Sequence, residues 1–195
     1  MGAWIHSPGK INLGHEKLAC NACHEKAEGS YRQQIQANLQ YLIGKRKLPT
    51  DIGHKKVRSS MCLNCHKNPK DKHPIYRFLE PRFTEARKKI APQHCQSCHF
   101  EHQNIRIPVK VNFCKHCHQK LRIKKDPIDV PHHYLVKLKQ WKTCLGCHDF
   151  HGNHIMKTNK EIDNRYKNEE IRQYFKGERQ IYSDKKQYKA KDNVI

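Results

Sequence analysis

Cys95-Gln96-Ser97-Cys98-His99 is one of five copies of Cys-x-x-Cys-His in this chain. The others occupy residues 20–24, 62–66, 114–118 and 144–148, and the five copies take up all ten cysteines. The paired thiols are Cys20 and Cys23, Cys62 and Cys65, Cys95 and Cys98, Cys114 and Cys117, and Cys144 and Cys147. Positions three and four apart on a helical turn share one face. Both thiols and the imidazole of each copy can therefore reach a single object on one side of the chain. Any fold of these 195 residues must be arranged around five such objects.

Three chemistries use a Cys-x-x-Cys pair. One pair is half of a zinc site or a redox disulfide, and two pairs make a four-cysteine zinc ribbon. Five pairs would leave one unmatched, and none of these needs a histidine straight after the second thiol. With 16 histidines in 195 residues, five such coincidences have a chance of roughly one in 250,000. Cys-x-x-Cys-His is the attachment pattern of c-type haem. Two thioethers to the vinyl edge and one axial imidazole then hold each porphyrin. The expected cofactor is five covalently attached haem c, with the iron held by His24, His66, His99, His118 and His148.

Composition fits that expectation. Hydrophobic residues make up 36% of the chain and mean hydropathy is −0.99, below the apolar share of about 45–50% usual for globular domains. Porphyrins would supply the missing apolar surface. The expected fold is mostly irregular with short α-helices, organised by haem, with little or no β. One five-haem domain is expected over 1–156, divisible into lobes 1–74 and 75–156. A charged, partly helical tail is expected over 157–195.

The formal charge is +21. Ten propionates and five ferric centres would bring it to about +16 oxidised and about +11 reduced. That charge can offset propionates, steer an acidic redox partner or simply solvate the surface, and no nucleic-acid motif accompanies it. Tyr76, Arg77, Phe78, Arg82, Phe83 and Arg87 are expected against porphyrin rings and propionates. No apolar run is long enough to span a bilayer. Residues 1–6 lack a basic n-region and an apolar h-region. Covalent haem attachment takes place outside the cytoplasm, so a signal or membrane anchor is expected upstream of this sequence. The expected location is periplasmic or otherwise extracytoplasmic.

Along the chain, Ser7-Pro8-Gly9 signals a turn. Ser30 is a candidate N-cap for a helix carrying Tyr31, Ile35, Leu39, Leu42 and Ile43 at helical spacing, stopped by Pro49. Its apolar face is expected over haem one or two. Haems three and four are expected to be neighbours, because Cys114 follows His99 by only fifteen positions. Leu135, Leu138 and Trp141 suggest a short helix entering the fifth motif. Ile171, Tyr174 and Phe175 suggest an amphipathic helix in the tail.

Beyond the five motif histidines, eleven remain for five distal positions. That surplus predicts bis-histidine ligation throughout. Methionine ligation raises haem potential, and only three methionines are present, so low potentials are expected. The distal candidates are His15, His54, His73, His102, His132 and His151, with His94, His133 and His154 in reserve. His116 lies inside its own motif. Cys-His-x-x-His recurs at His99/His102 and His148/His151.

The span from His15 to His154 resembles the small multihaem cytochromes c of the class III type. The likeness rests on the five Cys-x-x-Cys-His copies and the two Cys-His-x-x-His extensions. It implies bis-histidine ligation, stacked haems, extracytoplasmic location and electron transfer, with the second histidine of Cys-His-x-x-His ligating a different haem. Size and motif count also resemble the small pentahaem electron donors of respiratory nitrite reduction. The helix region at 26–48 and the tail after 157 depart from both.

Two functions follow. The first is an electron carrier in an extracytoplasmic respiratory chain, not an enzyme. Its partners would be redox proteins such as a membrane quinol dehydrogenase or a terminal reductase, with membrane association through an upstream segment. The second is a multihaem reductase of the nitrite, hydroxylamine or sulfite type, which needs one iron with an open position. The pentahaem nitrite reductases are much longer and carry one Cys-x-x-Cys-Lys motif, whereas every motif here ends in histidine.

Overall fold

Short helices separated by irregular chain make up the computed structural model, which describes residues 9–107 and 113–191. The turn expected at Ser7 and Pro8 lies outside the described residues. Among the described residues there is no strand, only isolated antiparallel bridges at Lys26–His54 and His154–Lys186. No helix among them is long and apolar enough to cross a membrane.

Helix α1 (Tyr31–Leu42) starts as its sequence demands. The Gln33 N–H donates to Ser30 Oγ, and the Ser30 N–H donates to the Gln33 side chain at 2.8 Å. This capping box satisfies two N–H groups that would otherwise lack partners. The helix ends well before Pro49. Gly44 adopts φ +75°, a left-handed stop that glycine accepts without a Cβ penalty. The Lys45 and Arg46 N–H groups then turn back to the Gln40 carbonyl. The side packed on the body sets the polar Gln34 beside the small Ala37. Gln34 is buried, donates to the carbonyls of Ala27, Glu28 and Gly29, and accepts the Gly53 N–H at 2.8 Å. Tyr31, Ile35, Leu39, Leu42 and Ile43 are all exposed.

Helix α2 (Ser59–His66) contains the second motif, and α3 (Thr84–Ile90) follows a buried Phe78. Arg87 of α3 donates to the carbonyls of Phe78 and Glu80 and to Thr84 Oγ1, and Arg82 pairs with Glu80 at 2.7 Å. These two guanidiniums fasten the local turn. Helix α4 (His132–Lys137) forms just ahead of Leu138. A tight turn at Trp141–Thr143 then leads into α5 (Cys144–Cys147).

Helix α6 (Asn168–Lys176) carries the main apolar core. Ile171 is 1% exposed and clusters with Leu145, Tyr174, Ile181 and Tyr182, flanked by Phe150, Met156, Tyr166 and Phe175. The described residues after 157 are therefore fastened to the body. The Tyr182 hydroxyl donates to the Leu145 carbonyl at 2.5 Å, and the Tyr188 hydroxyl donates to the Cys65 carbonyl. The Tyr166 carbonyl lies 2.5 Å from where a Cβ on Gly146 would stand. The fifth motif needs glycine there so that the returning chain can close on it.

Beyond this cluster the protein buries little of its own apolar surface. Ala37, Phe78, Ala86 and Cys147 are the remaining buried hydrophobic residues among those described. The chain exposes 15107 Å² at 23.2 kDa, where a compact protein of that mass exposes about 9,700 Å². The excess is far more than the undescribed residues could supply.

Candidate functional site

Each motif folds as one helical turn. The N–H of His24, His99, His118 and His148 donates to the carbonyl of its motif's first cysteine at 2.8–2.9 Å, and the second motif is the last turn of α2. Two thiols and one imidazole thus face one side at all five motifs, as the i, i+3, i+4 spacing requires.

A second histidine faces the first at every motif. Ring centres are separated by 5.8 Å for His15 and His66, 6.1 Å for His73 and His118, 6.0 Å for His99 and His151, and 6.1 Å for His132 and His148. His24 has two such neighbours, His102 at 6.3 Å and His54 at 6.1 Å. All six histidines expected at distal positions therefore lie against a motif histidine. The second histidine of each Cys-His-x-x-His faces a different motif from its own, His102 reaching motif one and His151 reaching motif three.

The facing histidines are anchored through Nδ1. His15 Nδ1 lies 3.0 Å from Glu101, His132 Nδ1 2.8 Å from Asp126, and His151 Nδ1 3.0 Å from Asp71. His73 Nδ1 lies 2.6 Å from the Phe150 carbonyl and His102 Nδ1 3.0 Å from the Gly9 carbonyl. A donor at Nδ1 leaves Nε2 as the free lone pair. His54 differs. The Lys26–His54 bridge, with Lys55 N–H bonded to the Glu25 carbonyl, makes His54 a diagonal cross-strand neighbour of His24. Such neighbours stand roughly 7 Å apart on one face without any shared ligand. His102 instead arrives from a distant loop with φ +63°, a left-handed conformation that costs about 1 kcal/mol or more for a residue with a side chain. Asn12 holds that loop. Its side chain donates to the Phe100 carbonyl at 2.6 Å and accepts from the Gln103 N–H at 3.0 Å.

Burial pushes four of these imidazoles down. Desolvation, reinforced by His151 and His66, holds His99 down to about 4, and desolvation also lowers His66, His73 and His148. Burial alone would lower His151 too, but the hydrogen bond to Asp71 outweighs it and raises the imidazole. The thiols pair between motifs. The Cys62 thiol hydrogen-bonds to Cys95, which is pushed down to about 6, and Cys144 does the same for Cys114, down to about 7. Motifs two and three are thus side by side, as are four and five. Ser59 Oγ accepts the Cys95 N–H at 3.0 Å and fastens the first of these pairs. A surface hollow at the end of α3, lined by Lys88, Ile90 and Ala91, is completed by Ser97 of motif three and by Phe100 and Phe113.

His154 is not among the ring pairs. Its Nδ1 lies 2.8 Å from Asp149 and its ring packs against Tyr182 at 5.2 Å. His133 packs on Tyr134, and among the described residues the rings facing the motif histidines are those of the six candidates and not of His133 or His94. Sequence reasoning missed Glu101, Asp71 and Asp126. Asp71 and Asp126 do stand two and six residues ahead of a candidate histidine, but Asp71 serves His151 from the far side of the chain. Among the described residues no three of His, Cys, Asp or Glu converge on one metal-sized point. Compared with known proteins, the chain matches no family model, no curated protein and no solved structure.

Proposed function

We propose that this chain is an electron-transfer protein holding five covalent c-type haems, each with two axial histidines. The observation that carries the reading is the histidine facing each motif histidine at 5.8–6.3 Å. A metal–imidazole bond is about 2 Å and the ring centre lies about 1.2 Å further, so two imidazoles across one metal have centres about 6.4 Å apart. Haem iron needs only two protein ligands, because the porphyrin supplies the other four. Pairs rather than clusters of three or four are what such sites ask for.

The axial pairs in this reading are His24 with His102, His66 with His15, His99 with His151, His118 with His73, and His148 with His132. The ten cysteines supply the thioethers. His54 flanks the first pair as its cross-strand neighbour. Bound haem supplies a one-electron ferric/ferrous couple. The chain fills both axial positions at every motif, which leaves no iron open to a substrate and favours the carrier over the reductase. Exposed apolar side chains such as Ile35 and Phe100, together with the excess surface, give flat macrocycles something to cover. The paired first thiols bring motifs two and three, and four and five, within short range for electron hopping. The charge of +21 suits an acidic redox partner. Covalent haem attachment places the protein outside the cytoplasm.

The test is an optical spectrum of the chain produced with a c-type maturation system, oxidised, reduced, and reduced with carbon monoxide. Five covalent low-spin haems that ignore carbon monoxide are expected. A haem-free chain overturns the proposal. One high-spin haem that binds carbon monoxide moves the reductase reading to first place.

A further inference from the structure

The five facing histidines differ in what accepts their Nδ1 proton. Three give it to carboxylates and two to backbone carbonyls. Resting on the haem reading above, we propose that Asp126, Asp71 and Glu101 are potential-setting residues that divide the five haems into two tiers. Motifs two, three and five form the low tier, and motifs one and four the high tier.

The argument is one of charge. A carboxylate carries a full negative charge and a carbonyl only a dipole, so hydrogen bonds to the carboxylate are the stronger ones. Asp126, Asp71 and Glu101 each draw the Nδ1 proton of their imidazole and leave Nε2 the more basic donor. A more basic axial donor favours the ferric over the ferrous state, which lowers that site's potential; hydrogen bonding behind the axial ligand is one of the protein's levers on potential. His73 and His102, backed by Phe150 and Gly9 carbonyls, give their irons a weaker donor.

The three carboxylates are not equal. Asp126 has the shortest contact, 2.8 Å, and its side chain is 11% exposed. Asp71 touches His151 with both oxygens, at 3.0 and 3.1 Å, and is 18% exposed. Glu101 lies 3.0 Å from His15 but is 37% exposed. Water screens an exposed charge more than a sheltered one, so the influence falls in the order Asp126, Asp71, Glu101. Asp71 also accepts the His73 N–H at 2.8 Å, and Asp126 the His132 N–H at 2.7 Å. These second bonds hold both carboxylates in place whether or not the imidazole is metallated.

The neutral isosteres Asp126→Asn, Asp71→Asn and Glu101→Gln, made in the full holoprotein, test this. Each is read by a haem count, a spectroelectrochemical titration and the electron paramagnetic resonance g-values of the oxidised haems. Each variant is expected to keep five low-spin haems and to move one of the five redox steps upward, most for Asp126→Asn and least for Glu101→Gln. The matching haem should change its g-values, because the axial donor itself has changed. Glu85→Gln, which removes an exposed carboxylate paired with Lys88, should move no step. Five low-spin haems with five unmoved steps overturn the proposal. So does a step that moves with unchanged g-values and vanishes at high salt, since that is removal of a distant charge. A wild-type protein without five bis-histidine haems would instead sink the haem reading on which this rests.

Discussion

The ring of His73 lies 6.1 Å from that of His118, although the whole third motif separates them in the chain. Phe150 fixes it there, accepting Nδ1 at 2.6 Å and stacking on the ring at 4.3 Å. If this pair brackets an iron, His73→Ala should keep five covalent haems while one becomes high-spin and binds carbon monoxide. Five low-spin haems in that variant would remove His73 from the ligands.

His102 and His54 compete on paper for the same partner. His102→Ala should open one iron to carbon monoxide, and His54→Ala should leave every haem low-spin. The reverse result would hand the position to His54 and make the left-handed backbone at residue 102 a feature of loop closure alone.

Acid should find Asp149. Burial alone would raise its carboxyl, but hydrogen bonds from the His154 ring and backbone and from the Asn153 N–H hold it down to about 2. Its ordinary value is 3.8, so the folded value is the depressed one. The stabilisation is present in full above about pH 4 and is lost as pH falls through about 2. With the side chain 13% exposed, it is worth about 2 kcal/mol at neutral pH. Asp149→Asn should lower the unfolding midpoint at pH 7 and flatten its fall between pH 4 and 2. Parallel curves for variant and wild type would show the carboxylate to be indifferent.

Ile171 tests whether the segment after 157 is part of the body. Its side chain is 1% exposed, and removing a fully buried isoleucine typically costs about 3 kcal/mol. Ile171→Ala should lower the unfolding free energy by about that amount, read as a lower guanidinium chloride midpoint, with five haems retained. An unmoved midpoint would make α6 a loosely held appendage.

The motif turns were legible because they depend on local spacing, whereas which histidine stands against which motif was not, because most of those partners come from distant loops. All six histidines that the spacing and surplus suggested do stand against motif histidines. The choice between His54 and His102 was not legible, since it turns on a bridge at Lys26. The start of α1 could be read from Ser30, but its end was set by Gly44 rather than Pro49. Which face of α1 packs also escaped the pattern, because Gln34 satisfies four backbone groups that no hydropathy stripe records. The helix in the tail could be read from Ile171, Tyr174 and Phe175, but the carbonyls in motifs five and two that the Tyr182 and Tyr188 hydroxyls reach could not.

The ring pairs interlace along the chain, and this dictates the order in which a nascent polypeptide can complete them. The pair His15–His66 can close first. The partner of His24 emerges only at residue 102, that of His118 has been waiting since residue 73, and His99 stays alone until residue 151. Most closures span a loop that contains another motif, so the entropy of loop formation precedes the contacts that repay it. Such a high contact order makes for slow, late consolidation. A chain cut anywhere between residues 99 and 151 would strand the half-buried imidazole of His99 without the ring that faces it.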